Sequence, residues 1–107
     1  MSENKKFNSF GEHLRSLREA ANLSLREVAV ELKMDASLLA KIERNERKAS
    51  RQLISDVAAY FKVDEQTLVD EHVSDVVAYK IVEENSGLNI LRDIEDKVNY
   101  YRTKREE

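Results

Sequence analysis

Residues 23–48, "LSLREVAVELKMDASLLAKIERNERK", decide the fold, because they read as two short helices joined by a tight turn. Ser24, with Glu27 three residues later, has the capping-box pattern that opens a helix. The inner face of this helix is apolar and consists of Leu25, Val28, Ala29 and Leu32. After the turn, Asp35 is predicted to cap the second helix, and Asn45 to end it, because Asn tolerates the left-handed conformation of a helix terminus. The second helix buries a short stripe of Leu38, Leu39 and Ile42.

Further helices are predicted on both sides of this pair. Ser9 is expected to cap a first helix that Asn22 ends, and Ser50 and Asp64 to begin a fourth and a fifth. The fifth helix either runs on or restarts at Ser74. The apolar residues of these helices recur at spacings of three and four: Phe10, Leu14, Leu17 and Ala21 in the first, then Leu53, Ile54, Val57, Ala58 and Phe61 in the fourth. With no Pro and only two Gly in 107 residues, the chain is predicted to be all-α.

Charge is distributed unevenly along the chain. Residues 1–63 hold twelve Lys or Arg against nine Asp or Glu, a net +3, whereas residues 64–107 hold six against twelve, a net −6. The net charge of −3 therefore hides a basic edge on the second helix of the pair and its exit turn, formed by Lys41, Arg44, Arg47 and Lys48. The two parts of the chain are expected to face different partners.

The pattern resembles the Cro/phage-repressor-like, or XRE-like, family of DNA-binding domains. Two stretches carry the resemblance, which covers about residues 7–70: "LRSLREAANLSLREVAVELKMDASLLAKIERNERKAS" at 14–50 and "LISDVAAYFKVDEQTL" at 53–68. The resemblance implies a five-helix repressor-like helix-turn-helix domain over residues 9–71, preceded by a flexible arm at 1–8. It also implies that the third helix enters the major groove of double-stranded DNA.

Site residues follow from the resemblance by position. Those implied to face base edges are Ala36, Ser37, Ala40 and Lys41. Those implied to hold phosphates are Arg26, Arg44, Arg47, Lys48 and Arg51. Three positions depart from the family pattern, since Leu25 stands at a common Gln, Asn45 at a common Gly and Ala49 at a common Pro. The alternative interpretation is that the basic residues are only a solvated face.

Arg18 and Glu43 are predicted to form a structural ion pair. Both fall on the inner sides of their helices, and the family pairs the matching positions. The alternative is two ordinary surface charges.

Catalytic and metal chemistry have no signature in the sequence. There is no Cys, no Gly-rich phosphate loop and no nucleophile motif, and His13 and His72 are expected at the surface without metal-ligand neighbours. The start lacks the apolar run of a signal peptide, and no stretch approaches the roughly 20 apolar residues of a membrane span. We therefore expect a cytoplasmic protein that is not an enzyme and has no cofactor, no metal and no contact with a membrane.

Residues 72–107 are predicted to form one or two further helices that make a homodimer. Apolar residues cover most of the circumference over 73–82, which is typical of a helix buried on more than one side. Leu88 and the apolar residues after it have coiled-coil spacing. The interface is expected to include Val77, Ile81, Leu91, Ile94, Val98 and Tyr101. The alternative is that both helices pack back on their own domain.

Taken with the resemblance, these features predict a transcriptional regulator that binds a palindromic operator as a homodimer. Its size is similar to that of restriction–modification controller proteins and of antitoxins that regulate their own promoters, so a repressor, including an autoregulatory one, is the favoured form. One alternative is an antitoxin or anti-repressor whose acidic C-terminal segment binds a partner protein. Another is a subunit that tethers an enzyme to DNA.

Overall fold

The computed structural model describes residues 7–106, which form six α-helices and no strand. These are α1 (Phe10–Ala20), α2 (Leu25–Glu31), α3 (Ala36–Glu43), α4 (Arg51–Phe61), α5 (Glu65–Glu83) and α6 (Ile90–Arg105). The all-α prediction is confirmed. The expected arm at residues 1–8 lies outside the described residues except for Phe7 and Asn8, which are not helical. The chain divides into a first unit that ends at Asp75 and a second unit, Val76–Glu107.

Side-chain caps begin most of the predicted helices. At α2 the Ser24 Oγ accepts from the Glu27 N–H at 3.0 Å, and the Glu27 carboxylate accepts from the Ser24 N–H at 2.8 Å, which completes the capping box. The predicted serine caps of α1 and α4 are also present, at Ser9 and Ser50. Asp35 is the N-cap residue of α3, as predicted, but the prediction that its side chain caps the helix is wrong. The Asp35 carboxylate accepts from the Ser37 hydroxyl at 2.5 Å and makes no bond to a helix N–H, because the nearby hydroxyl competes for it.

The two asparagines predicted to end helices do so in the left-handed conformation. Asn22 has φ 60° and Asn45 has φ 65°. After α3 the Glu46 N–H donates to the Lys41 carbonyl at 2.8 Å and the Asn45 N–H to the Ile42 carbonyl at 3.1 Å, which is the Schellman pattern. The conformation of the chain after α3 is therefore fixed by backbone hydrogen bonds.

The core of the first unit draws on all five of its helices. Its fully buried large side chains are Leu14, Val28, Leu39, Ile54, Val57 and Leu68. A close approach between α1 and the end of α3 explains Gly11, since a Cβ there would overlap the Ile42 carbonyl oxygen. This core holds α3 from one side only, because Leu39 and Ile42 are buried and Ser37 and Lys41 are exposed.

The second unit has no buried residue from Val76 to Glu106. The α5 helix runs through Ser74 without a restart. Burial of residues 73–82 on more than one side is wrong for the single chain, in which Val73, Val76, Tyr79 and Val82 are exposed. The reason is that apolar side chains surround this part of the helix, whereas the residues of α5 that reach the core, Leu68 and Val69, lie nearer its start. No helix of the described part of the chain is long and apolar enough to span a bilayer.

Candidate nucleic-acid interface

The candidate interface is built on α3 and the turn before it. The turn closes with the Met34 N–H donating to the Ala29 carbonyl at 2.9 Å, and Lys33 takes φ 55°. The α2 helix and the turn thus fix where α3 starts, while the buried side chains of α3 fix its rotation. The packing of the buried face of α3 against the core therefore sets the direction in which its exposed face points.

The residues predicted to face bases are exposed to different degrees. Ser37 and Lys41, four residues apart on one face of α3, are exposed. Ala40 is half-buried, and Ala36 is partly buried and packs against the core. Ser37 and Lys41 are therefore the two exposed polar side chains of the predicted set, and the Ser37 hydroxyl donates to Asp35.

The predicted phosphate ligands fall into two groups. Arg26, Arg47 and Lys48 are exposed and have no ion pair among residues 7–106. Arg44 and Arg51 are exposed but engaged. Together the five residues come from α2, the exit of α3 and the start of α4.

The engaged arginines each bind a carboxylate. The Arg44 Nε donates to Glu46 Oε2 at 3.0 Å and its Nη2 to Glu46 Oε1 at 3.1 Å. The hydrogen bond from Arg44 lowers the pKa of the Glu46 carboxyl and raises the pKa of the guanidinium. The Arg51 Nη2 lies 2.8 Å from Glu65 Oε2. Hydrogen bonds from Ser55 and then from Arg51 lower the pKa of Glu65.

Arg18 and Glu43 lie together beneath this surface. The Arg18 Nε donates to Glu43 Oε2 at 2.7 Å and Nη2 to Oε1 at 2.9 Å, in the bidentate geometry of strong pairs. The Arg18 Nη1 also donates to the Leu23 carbonyl at 3.0 Å. The hydrogen bond to Glu43 raises the pKa of Arg18 despite desolvation. The pair ties α1 to the last turn of α3.

Sequence reasoning missed a second link, which joins α1 to α5. His13 is not a surface residue, since its side chain is 14% exposed and its Nδ1 lies 2.8 Å from Glu71 Oε1. The Phe7 ring stacks on the His13 ring at 4.3 Å between centroids, and the Phe10 N–H donates to Asp75 Oδ2 at 2.9 Å. The one feature of the sequence that could have indicated this link is the pair of acids Glu71 and Asp75, four residues apart on α5. The described residues hold no His, Asp and Glu group fit for a metal ion.

The residues predicted for a dimer interface all belong to the second unit. Val77, Ile81 and Ile94 are half-buried. Leu91 is 49% exposed, Val98 40% and Tyr101 61%. All six therefore present apolar surface to solvent in the single chain.

Comparison with known families decides the identity of the first unit. The model of the helix-turn-helix domain family matches residues 9–71. The chain belongs to this family. The resemblance to Cro/phage-repressor-like, or XRE-like, regulators is thereby confirmed.

Solved structures support the same assignment. The restriction–modification controller protein C.AhdI from Aeromonas hydrophila is 32% identical, with a TM-score of 0.51 over 55% of this chain and 86% of that one. The master regulator for biofilm formation SinR, solved in complex with DNA, is 31% identical, with a TM-score of 0.52 over 56% of this chain and 97% of that one.

A SinR/SinI complex matches 88% of this chain and 98% of that one at 23% identity and a TM-score of 0.53, which shows the fold alone. The comparison with curated proteins gives no match. The helix-turn-helix domain thus has the fold of DNA-binding transcription regulators, and the family it belongs to is one of regulators and not of enzymes.

Proposed function

We propose that this chain is a sequence-specific DNA-binding regulator that represses transcription, with its own promoter among the candidate targets. The observation that carries the proposal is the one-sided anchoring of α3, which leaves Ser37 and Lys41 exposed on one face. Directly after this helix, Arg47 and Lys48 are exposed and free of ion pairs within residues 7–106. A rigid helix with polar side chains beside unpaired cations suits base readout next to phosphate contacts.

The two similar regulators support this proposal. C.AhdI is a restriction–modification controller and SinR was solved bound to DNA, and both are more than 30% identical to this chain over just over half of its length. The family model matches residues 9–71, which contain α3 and the basic edge. We infer that the same surface of this chain binds double-stranded DNA.

Selection of binding sites from a random DNA pool tests the proposal. The wild type is expected to return a defined motif. Ser37→Ala and Lys41→Ala are each expected to relax or change the preferred base at one position, at a cost of roughly 1–3 kcal/mol per good base contact. Lys48→Ala is expected to weaken binding to all duplexes alike and to lower the salt slope by about 0.9 for the lost phosphate contact.

Lys80→Ala serves as the control, because Lys80 lies in the second unit and pairs with Glu83 and Glu84. It is expected to leave motif and affinity unchanged. If the Ser37 and Lys41 variants returned the wild-type motif, α3 would not read bases. Weak binding of the wild type with no motif would instead favour a subunit that tethers an enzyme to DNA.

The proposed assembly is a homodimer formed by the second unit on a palindromic operator. One recognition helix spans only a few base pairs, so dimers place two of them on half-sites about 34 Å apart. The absence of any buried residue from Val76 to Glu106, together with the exposed apolar side chains there, supports a partner for this unit.

Light scattering coupled to size exclusion tests the assembly. The wild type is expected to be dimeric, and Leu91→Lys with Ile94→Glu monomeric with weakened binding to the palindrome. Arg92→Glu with Asp96→Lys is the matched control, since both residues are exposed and lie outside the apolar spacing. It is expected to stay dimeric. A monomeric wild type would favour the second candidate, an antitoxin or anti-repressor whose second unit binds another protein, which the acidity of residues 64–107 and their exposed apolar side chains also fit.

A further inference from the structure

Glu46 is the one acidic side chain exposed to solvent within residues 41–51. The other acid in this stretch, Glu43, is buried in its pair with Arg18. Glu46 is flanked by Arg44, Arg47 and Lys48, each of them a proposed phosphate ligand. A carboxylate at this place opposes the charge that a DNA surface requires.

The backbone fixes Glu46 beside Arg44. Asn45, with φ 65°, turns the chain back, and the hydrogen bond from the Glu46 N–H to the Lys41 carbonyl at 2.8 Å holds the turn. The side chain of Glu46 then accepts two hydrogen bonds from the Arg44 guanidinium, at 3.0 and 3.1 Å. These bonds occupy the Nε and Nη2 edge of Arg44, one of the two edges on which a guanidinium can bind a phosphate through two hydrogen bonds.

The hydrogen-bonded pair of Arg44 and Glu46 can separate, because both side chains are in contact with solvent. The side chains of Arg44 and Glu46 are 54% and 53% exposed, so water screens their attraction and each can be rehydrated. The hydrogen bonds from Arg44 hold the pKa of Glu46 below its usual range, so the carboxylate stays charged at neutral pH. A phosphate that binds this edge of Arg44 must displace the carboxylate, and one that binds the other edge still meets its negative charge nearby.

We propose that Glu46 competes with DNA phosphate for Arg44 and thereby lowers the affinity of the protein for every duplex. This inference rests on the proposed DNA-binding function. Because the competition concerns a phosphate contact and no base, it acts equally on operator and non-operator DNA. Glu46 therefore lowers the affinity for DNA without changing the DNA sequence that the protein prefers.

Fluorescence anisotropy with the selected duplex and a scrambled duplex tests the inference. Glu46→Gln keeps the size of the side chain and removes its charge, and is expected to tighten binding to both duplexes about 1.4- to fivefold, the range of an exposed ion pair. In an Arg44→Gln background the same change is expected to lose most of this gain. Glu19→Gln is the matched control, because Glu19 pairs with Arg15 at 2.9 Å at similar exposure on α1. It is expected to leave affinity unchanged.

Several outcomes would overturn the inference alone. Weaker binding of Glu46→Gln would make Glu46 a positioning residue for Arg44, and a changed motif in site selection would make it a base contact. An equal gain with and without Arg44 would reduce it to a general charge effect. Circular dichroism of each variant checks that the fold is kept. A wild type that binds no duplex would overturn the proposed function and this inference together, whereas wild-type binding without a gain in Glu46→Gln overturns only the inference.

Discussion

Removal of the Glu43 carboxylate is expected to destabilise the first unit by about 3 kcal/mol, the lower end for breaking a buried pair. The side chain of Glu43 is 4% exposed and that of Arg18 13%, so neither regains full hydration when its partner is lost. In Glu43→Gln the guanidinium keeps its bond to the Leu23 carbonyl but loses the charged acceptor of its other two. The penalty arises mainly from the cation that stays behind, desolvated and uncompensated.

A double-mutant cycle isolates the interaction of the pair. Arg18→Gln, Glu43→Gln and the double variant are expected to give a coupling of about 2 kcal/mol, because the double variant leaves no unpaired charge. The chain supplies an internal control in Arg15 and Glu19, whose side chains are 58% and 55% exposed at nearly the same distance, 2.9 Å. That exposed pair is expected to give about 0.3–0.5 kcal/mol. Burial is the main difference between the two cycles.

Urea unfolding followed by circular dichroism at 222 nm, the usual helix band, measures both cycles. All variants are compared at one protein concentration, because self-association would make apparent stability depend on concentration. Unchanged m-values would show that the variants alter stability and not the unfolded state. A coupling for Arg18 and Glu43 no larger than that of the control pair would refute the reasoning from burial.

Three further predictions concern stability. Gly11→Ala is expected to cost roughly 1–3 kcal/mol in urea unfolding, because the added Cβ overlaps a carbonyl oxygen of α3. His13→Ala is expected to cost about 1 kcal/mol through loss of its hydrogen bond to α5, with His72→Ala near zero, and equal effects would contradict the link. Hydrogen bonds, the strongest of them from Ser55, lower the pKa of Glu65 in the folded state. The ionised carboxylate therefore stabilises the fold at pH values above its unfolded-state pKa. The stability difference between wild type and Glu65→Gln should therefore shrink as the pH falls through the folded-state pKa.

Local chemistry made much of the first unit predictable from sequence. The capping box at Ser24 and the left-handed asparagines at 22 and 45 involve residues a few positions apart, so their types alone specify the geometry. Lys33 and Lys62 also take positive φ, at 55° and 58°, although lysine has no chemical feature that favours this conformation. At those two positions the packing of the helices sets the backbone against the preference of the residue.

Interactions between distant residues were predictable only where a family pattern supplied the pairing. Arg18 and Glu43 were paired in this way, whereas His13 and Glu71, 58 residues apart, had no such guide. The wrong cap at Asp35 has a different cause, since Ser37 competes for the same carboxylate. In the second unit, the sequence shows an excess of apolar side chains, but their partners depend on contacts that the spacing of residues does not specify.

The proposed dimer changes what the competition at Arg44 means for the regulator. A palindrome bound by two protomers engages Arg44 twice, so Glu46 acts once in each half-site. If the half-sites contribute independently, a threefold loss of affinity per protomer becomes about ninefold for the dimer, because independent free energies add. The same loss applies to non-specific duplexes, which compete for the protein in large excess and bind it mainly through phosphates. The carboxylate would thus shorten the time spent on non-specific DNA, while the base contacts proposed for Ser37 and Lys41 would keep the operator preferred by the same ratio.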